Sequence, residues 1–260
     1  MALNPTDAPN SETRRKIIAV ASGKGGVGKT WFSVTLSHAL SRMDRRALLF
    51  DGDLGLANVD IQLGLAPKHD LSSVIAGKLT LQQAVTNFDA GGFDILAGRS
   101  GANNLSSVPI PKLKSLRNDL RSLAARYDSV IIDLSAGVDR TVQNLATLAG
   151  TILVVTTDEP TSLTDAYAFI KLALRGNPDT DIRIVVNMAE TRNSGQTTYE
   201  TLLNACKNFL QAEPPLAGII RRDQQVRDSI RHQTGLLTRH PTADAANDVE
   251  AIAKQFTNTG

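Results

Sequence analysis

Gly23-Lys24-Gly25-Gly26-Val27-Gly28-Lys29-Thr30 has the spacing G-x-x-x-x-G-K-[ST]. Glycines at these places let successive backbone N–H groups turn inward around a chain of phosphates. The segment lies between an apolar run at 17–22 and a helical pattern from about residue 29, so it also brings the partly positive N-terminus of a helix to the same point. Gly25, Gly26, Val27 and Gly28 are therefore expected to cradle phosphate through the main chain, with Lys29 reaching the terminal phosphates and the Thr30 hydroxyl ligating Mg²⁺. Trp31 follows directly; core packing is the stronger demand on its ring, with a place beside the nucleotide as the second. An accidental glycine-rich turn would not need both the strand before it and the helix after it.

Carboxylates recur where such a loop would need them. Asp51 and Asp53 close the apolar run ALLFD at 47–51, and Asp133 closes SVIIDL at 129–134. Ligands of parallel sheets sit beyond the carboxyl ends of strands, and phosphoryl transfer needs an acid that holds Mg²⁺ or a water bound to it. Two residues apart in an extended chain, Asp51 and Asp53 face opposite sides and should differ in role. Asn187 ends another apolar run, and its amide offers the donor and acceptor that a nucleobase edge requires. Turn-stabilising aspartates and a turn-capping asparagine are the plainer readings of the same residues, and spacing alone leaves both open. Lys24 crowds positive charge onto Lys29 unless phosphates neutralise it; taken alone it is a solvated loop lysine.

These residues need a frame. Near-continuous apolar runs at 17–22, 47–51, 93–98, 129–134, 151–157, 182–188 and 216–220 suit strands buried on both faces of a parallel sheet. Helical patterns alternate with them at about 29–42, 70–76, 80–86, 109–126, 139–149, 161–175, 195–210, 224–233 and 243–256. That alternation predicts an α/β fold: a single doubly wound, mostly parallel sheet with helices on both faces. Leu113, Leu116, Leu120 and Leu123 form one core-facing stripe, and Gly91–Gly92 and Asn103–Asn104 read as turns. Residues 1–15, rich in Asn, Pro and Ser, read as a flexible leader, and 16–260 as one P-loop domain.

Composition closes off other chemistry. One cysteine, Cys206, forms no internal disulfide and cannot supply the thiolates of an iron–sulfur or zinc site. No stretch of about 18 apolar residues is present, and the first 15 residues have no signal-peptide core. A cytoplasmic protein is expected. A formal net charge of +2 does not by itself argue for nucleic acid.

ASGKGGVGKT, LLFDGDLGLANVD at 48–60 and VIIDLSAG at 130–137 resemble the deviant Walker A ATPases of the MinD/ParA family, over residues 16–256. The resemblance implies a slow, partner-stimulated ATP hydrolase that closes into an ATP-sandwich homodimer, with Lys24 crossing to the other subunit's nucleotide. It implies that Asp53 positions the attacking water, so Asp53, Lys24 and Lys29 are the candidate catalytic set. Thr30, Asp51 and Asp133 would hold Mg²⁺, partly through water, and Gly137 would lie near the terminal phosphate in a switch segment. Asn187 would read adenine while Gly218 to Asp223, Arg221 included, closes over the base.

Within that family, TTDEPTSLTDAYAFIK at 156–171, VVNMAE at 185–190 and the run beginning RRDQQVRDSIRHQTGLL look most like the flagellar-number regulators FlhG and FleN. That implies a numerical or spatial regulator of flagellar assembly, with the GTPase FlhF, a flagellar transcription regulator and basal-body proteins as partners. The alternatives are ParA-like cargo partitioning and MinD-like division-site positioning. Arg221, Arg222, Arg227 and Arg231 would serve nonspecific DNA binding, although Asp223 and Asp228 dilute them and a solvated helix face is the stronger reading. The C-terminal run DAANDVEAIAKQFTNTG carries Asp244, Asp248 and Glu250 against Lys254, which reads as a core-packing helix with surface acids and disfavours direct membrane binding. Recruitment to the cell pole or membrane is expected through partners.

Overall fold

The computed structural model describes residues 11–55, 57–98 and 109–257. Its first element is α1 (Ser11–Arg15), followed at once by β1 (Ile17–Ala21). Chain order continues through α2 (Lys29–Ser41), β2 (Ala47–Gly52), the short helices α3 (Val59–Leu63), α4 (Leu71–Ile75) and α5 (Leu81–Ala84), and the pair β3 (Thr86–Phe88) and β4 (Phe93–Leu96). Then come α6 (Ile110–Ala124), β5 (Ser129–Leu134), α7 (Arg140–Ala146), β6 (Thr151–Thr156), α8 (Pro160–Gly176), β7 (Asp181–Ala189) and α9 (Arg192–Leu210). β8 (Leu216–Arg221), α10 (Gln224–Arg231), α11 (Leu236–Arg239), α12 (Asp244–Ala253) and a 3₁₀ turn at Lys254–Phe256 complete the described chain.

Among the described residues the strands form one sheet in the order β3-β4-β2-β5-β1-β6-β7-β8. Every pair is parallel except β3 with β4. The inner strands are buried along their whole length, because helices cover both faces and each side chain must find an apolar layer whichever way it points. Period-2 alternation sorts them: Ile17, Ala19, Phe50, Val130 and Ile132 join the layer under α6, α7, α8 and α9. Ile18, Val20, Leu49, Ile131 and Leu153 join the layer under α2 and α12. α2 is buried on nearly every side, sandwiched between the sheet and α12, and so carries no wide polar face.

Several expectations shift by a few residues for local reasons. Thr191 and Ser194 form a reciprocal capping box that starts α9 three residues before the predicted 195. β3 was not predicted: Thr86 lies at the end of a predicted helix and Asn87 and Phe88 just beyond it, and the three form a strand by pairing antiparallel with β4. The turn expected at Gly91–Gly92 joins those two strands, with Gly92 at a φ of 66°. The predicted turn at Asn103–Asn104 lies outside the described residues, as do residues 1–10 of the predicted leader. The rest of that leader is helical: α1 packs beside α6 and against the segment just before β6, where Arg14 Nε donates to the Ala149 carbonyl at 3.1 Å. The C-terminal segment packs Val249, Ile252, Ala253 and Phe256 into the core as expected, yet it also buries Asp248, which reads as a surface charge in the sequence. No helix among the described residues is long and apolar enough to cross a membrane.

His38, on α2, is 6% exposed, and burial, with the Arg42 charge second, lowers its pKa to about 4. An unfolded chain takes up that proton near pH 6.5, so the folded state loses up to about 3 kcal/mol as pH falls from about 6.5 to 4, and none above that window. The unfolding free energy of the parent, measured in urea relative to a His38→Gln variant, should therefore fall across that interval. A difference that stays constant from pH 7 to 4 would show that the ring is not held neutral.

Candidate functional site

The loop between β1 and α2 lies at the carboxyl end of the sheet's centre, beside the strands that end in Asp51 and Asp133. Its shape follows from two glycines in the left-handed region, Gly26 at φ 83° and Gly28 at φ 84°. Gly28 is needed twice over: a Cβ there would come within 2.4 Å of the Asn187 side-chain nitrogen. Gly23 is needed for a different reason, since a Cβ would meet the Asp165 carbonyl oxygen at 2.1 Å, so the loop rests directly on the backbone of α8. Ser22 Oγ donates to the Lys24 carbonyl at 2.9 Å and braces the loop from below.

The charged core of the site is Lys29 against Asp133. Lys29 Nζ donates to Asp133 Oδ1 at 3.0 Å, with the lysine 8% exposed and the aspartate fully buried. Ser33 Oγ donates to the same oxygen at 2.9 Å. Sequence reasoning missed Ser33, though the signal was there: it stands one helical turn after Lys29 and so shares its face. The other oxygen, Asp133 Oδ2, is buried without a hydrogen-bond partner. Asp51, the register neighbour of Asp133, is also fully buried; burial pushes its pKa up to about 7, and the Asp133 charge adds to the shift. Its oxygens accept N–H bonds from Asp53 and Val59 at 3.2 and 3.3 Å.

Two buried acids, one with an orphaned oxygen and the other driven toward its neutral form, are an environment that favours a cation. With the Thr30 hydroxyl they offer hard oxygen donors, which suits Mg²⁺. No cage of three or more acidic, histidine or cysteine side chains exists among the described residues. Mg²⁺ typically takes one or two protein groups and completes its shell with water and substrate phosphate oxygens.

A cleft of about 570 Å³ opens above this core. It is lined by the loop from Lys24 to Trp31, by Asp53, Asn58 and Ile61, and by Asn187, Met188 and residues of the segment from Arg221 to Ile230. Asp53 is half-buried at its edge, so the expected difference between Asp51 and Asp53 holds: one is fully buried and the other lines the cleft. Trp31 is 5% exposed, in keeping with core packing, although it borders the cleft. Gly137, at φ 102°, donates its N–H to the Ser22 carbonyl at 2.9 Å, which ties the segment after Asp133 to the base of the loop.

Three side chains are engaged in ways the sequence did not disclose. Lys24 Nζ pairs within its own chain, with Glu159 and with Thr161 Oγ1 at 2.9 Å, and its hydrogen bond, with its charge second, holds the Glu159 carboxyl below the usual range. Those partners are about 135 residues away, and no local pattern points to them. Asn187 donates to the Val27 carbonyl at 2.8 Å and accepts from the Met188 N–H at 2.9 Å, leaving one N–H and one lone pair for anything else. The Arg221 guanidinium is taken by Asp248 and Asp244, so this residue borders the cleft with its charge already neutralised.

Residues 18–236 match the model of the CobQ/CobB/MinD/ParA nucleotide binding domain family. The chain belongs to this family. This nucleotide-binding domain is 35% identical over 240 residues to the antiactivator FleN of Pseudomonas aeruginosa, covering 92% of the chain and 85% of that relative. It is 28% identical over 251 residues to the flagellum site-determining protein YlxH of Helicobacter pylori, covering 96% of the chain and 84% of YlxH. The fold is shared with the septum site-determining protein MinD of Pyrococcus horikoshii OT3, solved with Mg-ADP, at a TM-score of 0.77 and 24% identity, covering 92% of the chain and 95% of that structure. The predicted fold class and family are thus those found.

Because Gly23 lies against the α8 backbone, a Gly23→Ala substitution forces the phosphate loop to move although the residue has no side chain to contribute. Calorimetric titration with Mg-ATP should show affinity lowered by about tenfold or more; parent-like affinity would show that the loop tolerates the shift. Lys29→Ala should abolish binding in the same assay.

Proposed function

We propose that this protein is an ATP-driven switch: two copies close face to face around ATP and Mg²⁺, slow hydrolysis reopens them, and the closed form restrains flagellar assembly. The observation that carries the reading is the buried Lys29–Asp133–Ser33 cluster under a glycine-built loop, in a chain 35% identical to an antiactivator across 92% of its length. In this reading residues 16–260 are the ATPase domain and 1–15 its leader, of which the described part, α1, docks on the domain.

Each residue has a task in that cycle. The N–H groups of Gly25 to Thr30 hold the phosphates, and Lys29 exchanges part of its bond to Asp133 for the terminal phosphate oxygens. Thr30, and through water Asp51 and Asp133, would hold Mg²⁺, which would supply positive charge against the phosphates. Asp53, at the cleft edge, orients a water molecule toward the γ-phosphorus. As the water oxygen bonds to that phosphorus, the bond to the bridging oxygen of ADP breaks; phosphate leaves and the water's surplus proton passes to solvent. Gly137 carries the difference between ATP and ADP into the segment after β5, through its bond to Ser22 beneath the loop. Lys24 trades Glu159 for the partner copy's nucleotide, one anionic partner for another.

Flagellar names of two relatives favour FlhF, a flagellar transcription regulator or basal-body proteins as downstream partners, and a cytoplasmic protein drawn to the pole or membrane by them. Nonspecific DNA binding is disfavoured, because Arg221 of the basic group is already neutralised by Asp248 and Asp244.

An Asp53→Ala variant with ATP should elute as a dimer that persists for hours in size-exclusion chromatography, while the parent dimer decays as ATP is consumed. A variant that binds ATP and stays monomeric would refute the switch. Used as bait in a cell extract, the trapped dimer should recover flagellar regulators; recovery of chromosomal DNA with a partition protein would move the cargo to the ParA reading.

A further inference from the structure

β8 ends at Arg221, and the three residues Arg221-Arg222-Asp223 form a lip that lines the cleft before α10 begins. Both ends of this lip are fastened to α12. Asp248 Oδ2 accepts the Arg221 backbone N–H at 3.1 Å and its Nε at 2.8 Å, while Oδ1 accepts Nη2 at 3.0 Å. Arg221 Nη1 lies 2.9 Å from Asp244 Oδ1. At the other end, Asp223 Oδ2 accepts the Ala245 N–H at 3.3 Å and Oδ1 accepts the Gln225 N–H at 2.9 Å. In the middle, the Arg222 N–H donates to the Ala189 carbonyl at 2.8 Å, which joins the lip to the strand that carries Asn187 and Met188.

Asp248 is the hub of this arrangement and an unexpected residue for its position. It is 2% exposed on a helix whose neighbouring inward residues are Ala245, Val249 and Ile252. A buried carboxylate there must be compensated, and it is: besides Arg221 it binds Arg192 Nη2 at 2.6 Å, at the first residue of α9. An apolar side chain at such a site generally serves stability as well or better, so the ionic group is better explained by what it holds in place. What it holds is the part of the cleft lining next to the strand that carries Asn187 and Met188.

We propose that Asp248 is a positioning residue for the base end of the cleft: it fixes the Arg221–Asp223 lip so that the protein grips the adenosine part of ATP as well as the phosphates. This rests on the nucleotide reading above and adds to it a division of labour, phosphates at the loop and the nucleoside at a lip that α12 splints.

The division can be read with two ligands, Mg-ATP and magnesium tripolyphosphate, the second having the phosphate chain without a nucleoside. Calorimetry on the full chain should show both binding to the parent. Asp248→Asn should weaken ATP by about tenfold and leave tripolyphosphate within about twofold of the parent. Arg221→Gln, which leaves Asp248 paired with Arg192, should give the same one-sided loss and serves if the first variant does not fold. Equal weakening of both ligands would make Asp248 a general structural residue and overturn the proposal, as would unaltered ATP binding in either variant. A parent that binds neither ligand would refute the nucleotide reading itself, a result distinct from any of these.

Discussion

Lys29 and Asp133 stand 104 residues apart in the chain and meet at 3.0 Å under the phosphate loop, both almost wholly removed from water. Breaking such a buried pair from one side typically costs 3–5 kcal/mol, because the survivor is left charged in a poor solvent. The pair therefore constrains everything around it. β1 and β5 must be neighbours in register, α2 must begin where the loop ends, and Ser33 must come round one turn later to satisfy the oxygen that Lys29 shares. The pairing is also incomplete, since Asp133 Oδ2 has no partner and Asp51 beside it is pushed toward its neutral form. A scaffold that needed only stability would not keep two acids there.

The sheet supplies the rigidity that this cluster requires. Its central strands are covered on both faces, so the carboxyl ends that present Asp51 and Asp133 are fixed by two apolar layers rather than by loops. Contacts from outside the sheet then aim the loop: the α8 backbone under Gly23, Asn187 against Val27, and Gly137 against Ser22. Each links a different crossover connection to the same few atoms. A change in one of those connections would accordingly be felt at the phosphates, which is what a nucleotide-governed switch needs. The lip and α12 extend the same logic to another part of the cleft lining, where hydrogen bonds to the buried Asp248 carboxylate add to the pairing of β8 with β7.

The phosphate loop, the strands and most helices were legible in the sequence because each depends on local chemistry: glycine spacing, runs of β-branched residues, and leucines at helical intervals. Asp51, Asp53, Asp133 and Asn187 were legible as strand-end residues for the same reason, and the cleft does lie along those ends. Tertiary structure alone decided the partners. Period and spacing carry no record of which distant side chain neutralises Lys24 or Arg221, nor that Asp248 would be buried while Glu250, two residues on, stays partly exposed and pairs with Arg42. The three-residue strand β3 and the docking of α1 were likewise invisible, since such short segments are stable only against neighbours already in place. Backbone geometry is written in a few consecutive residues; electrostatic compensation is settled between residues that meet only once the chain has folded.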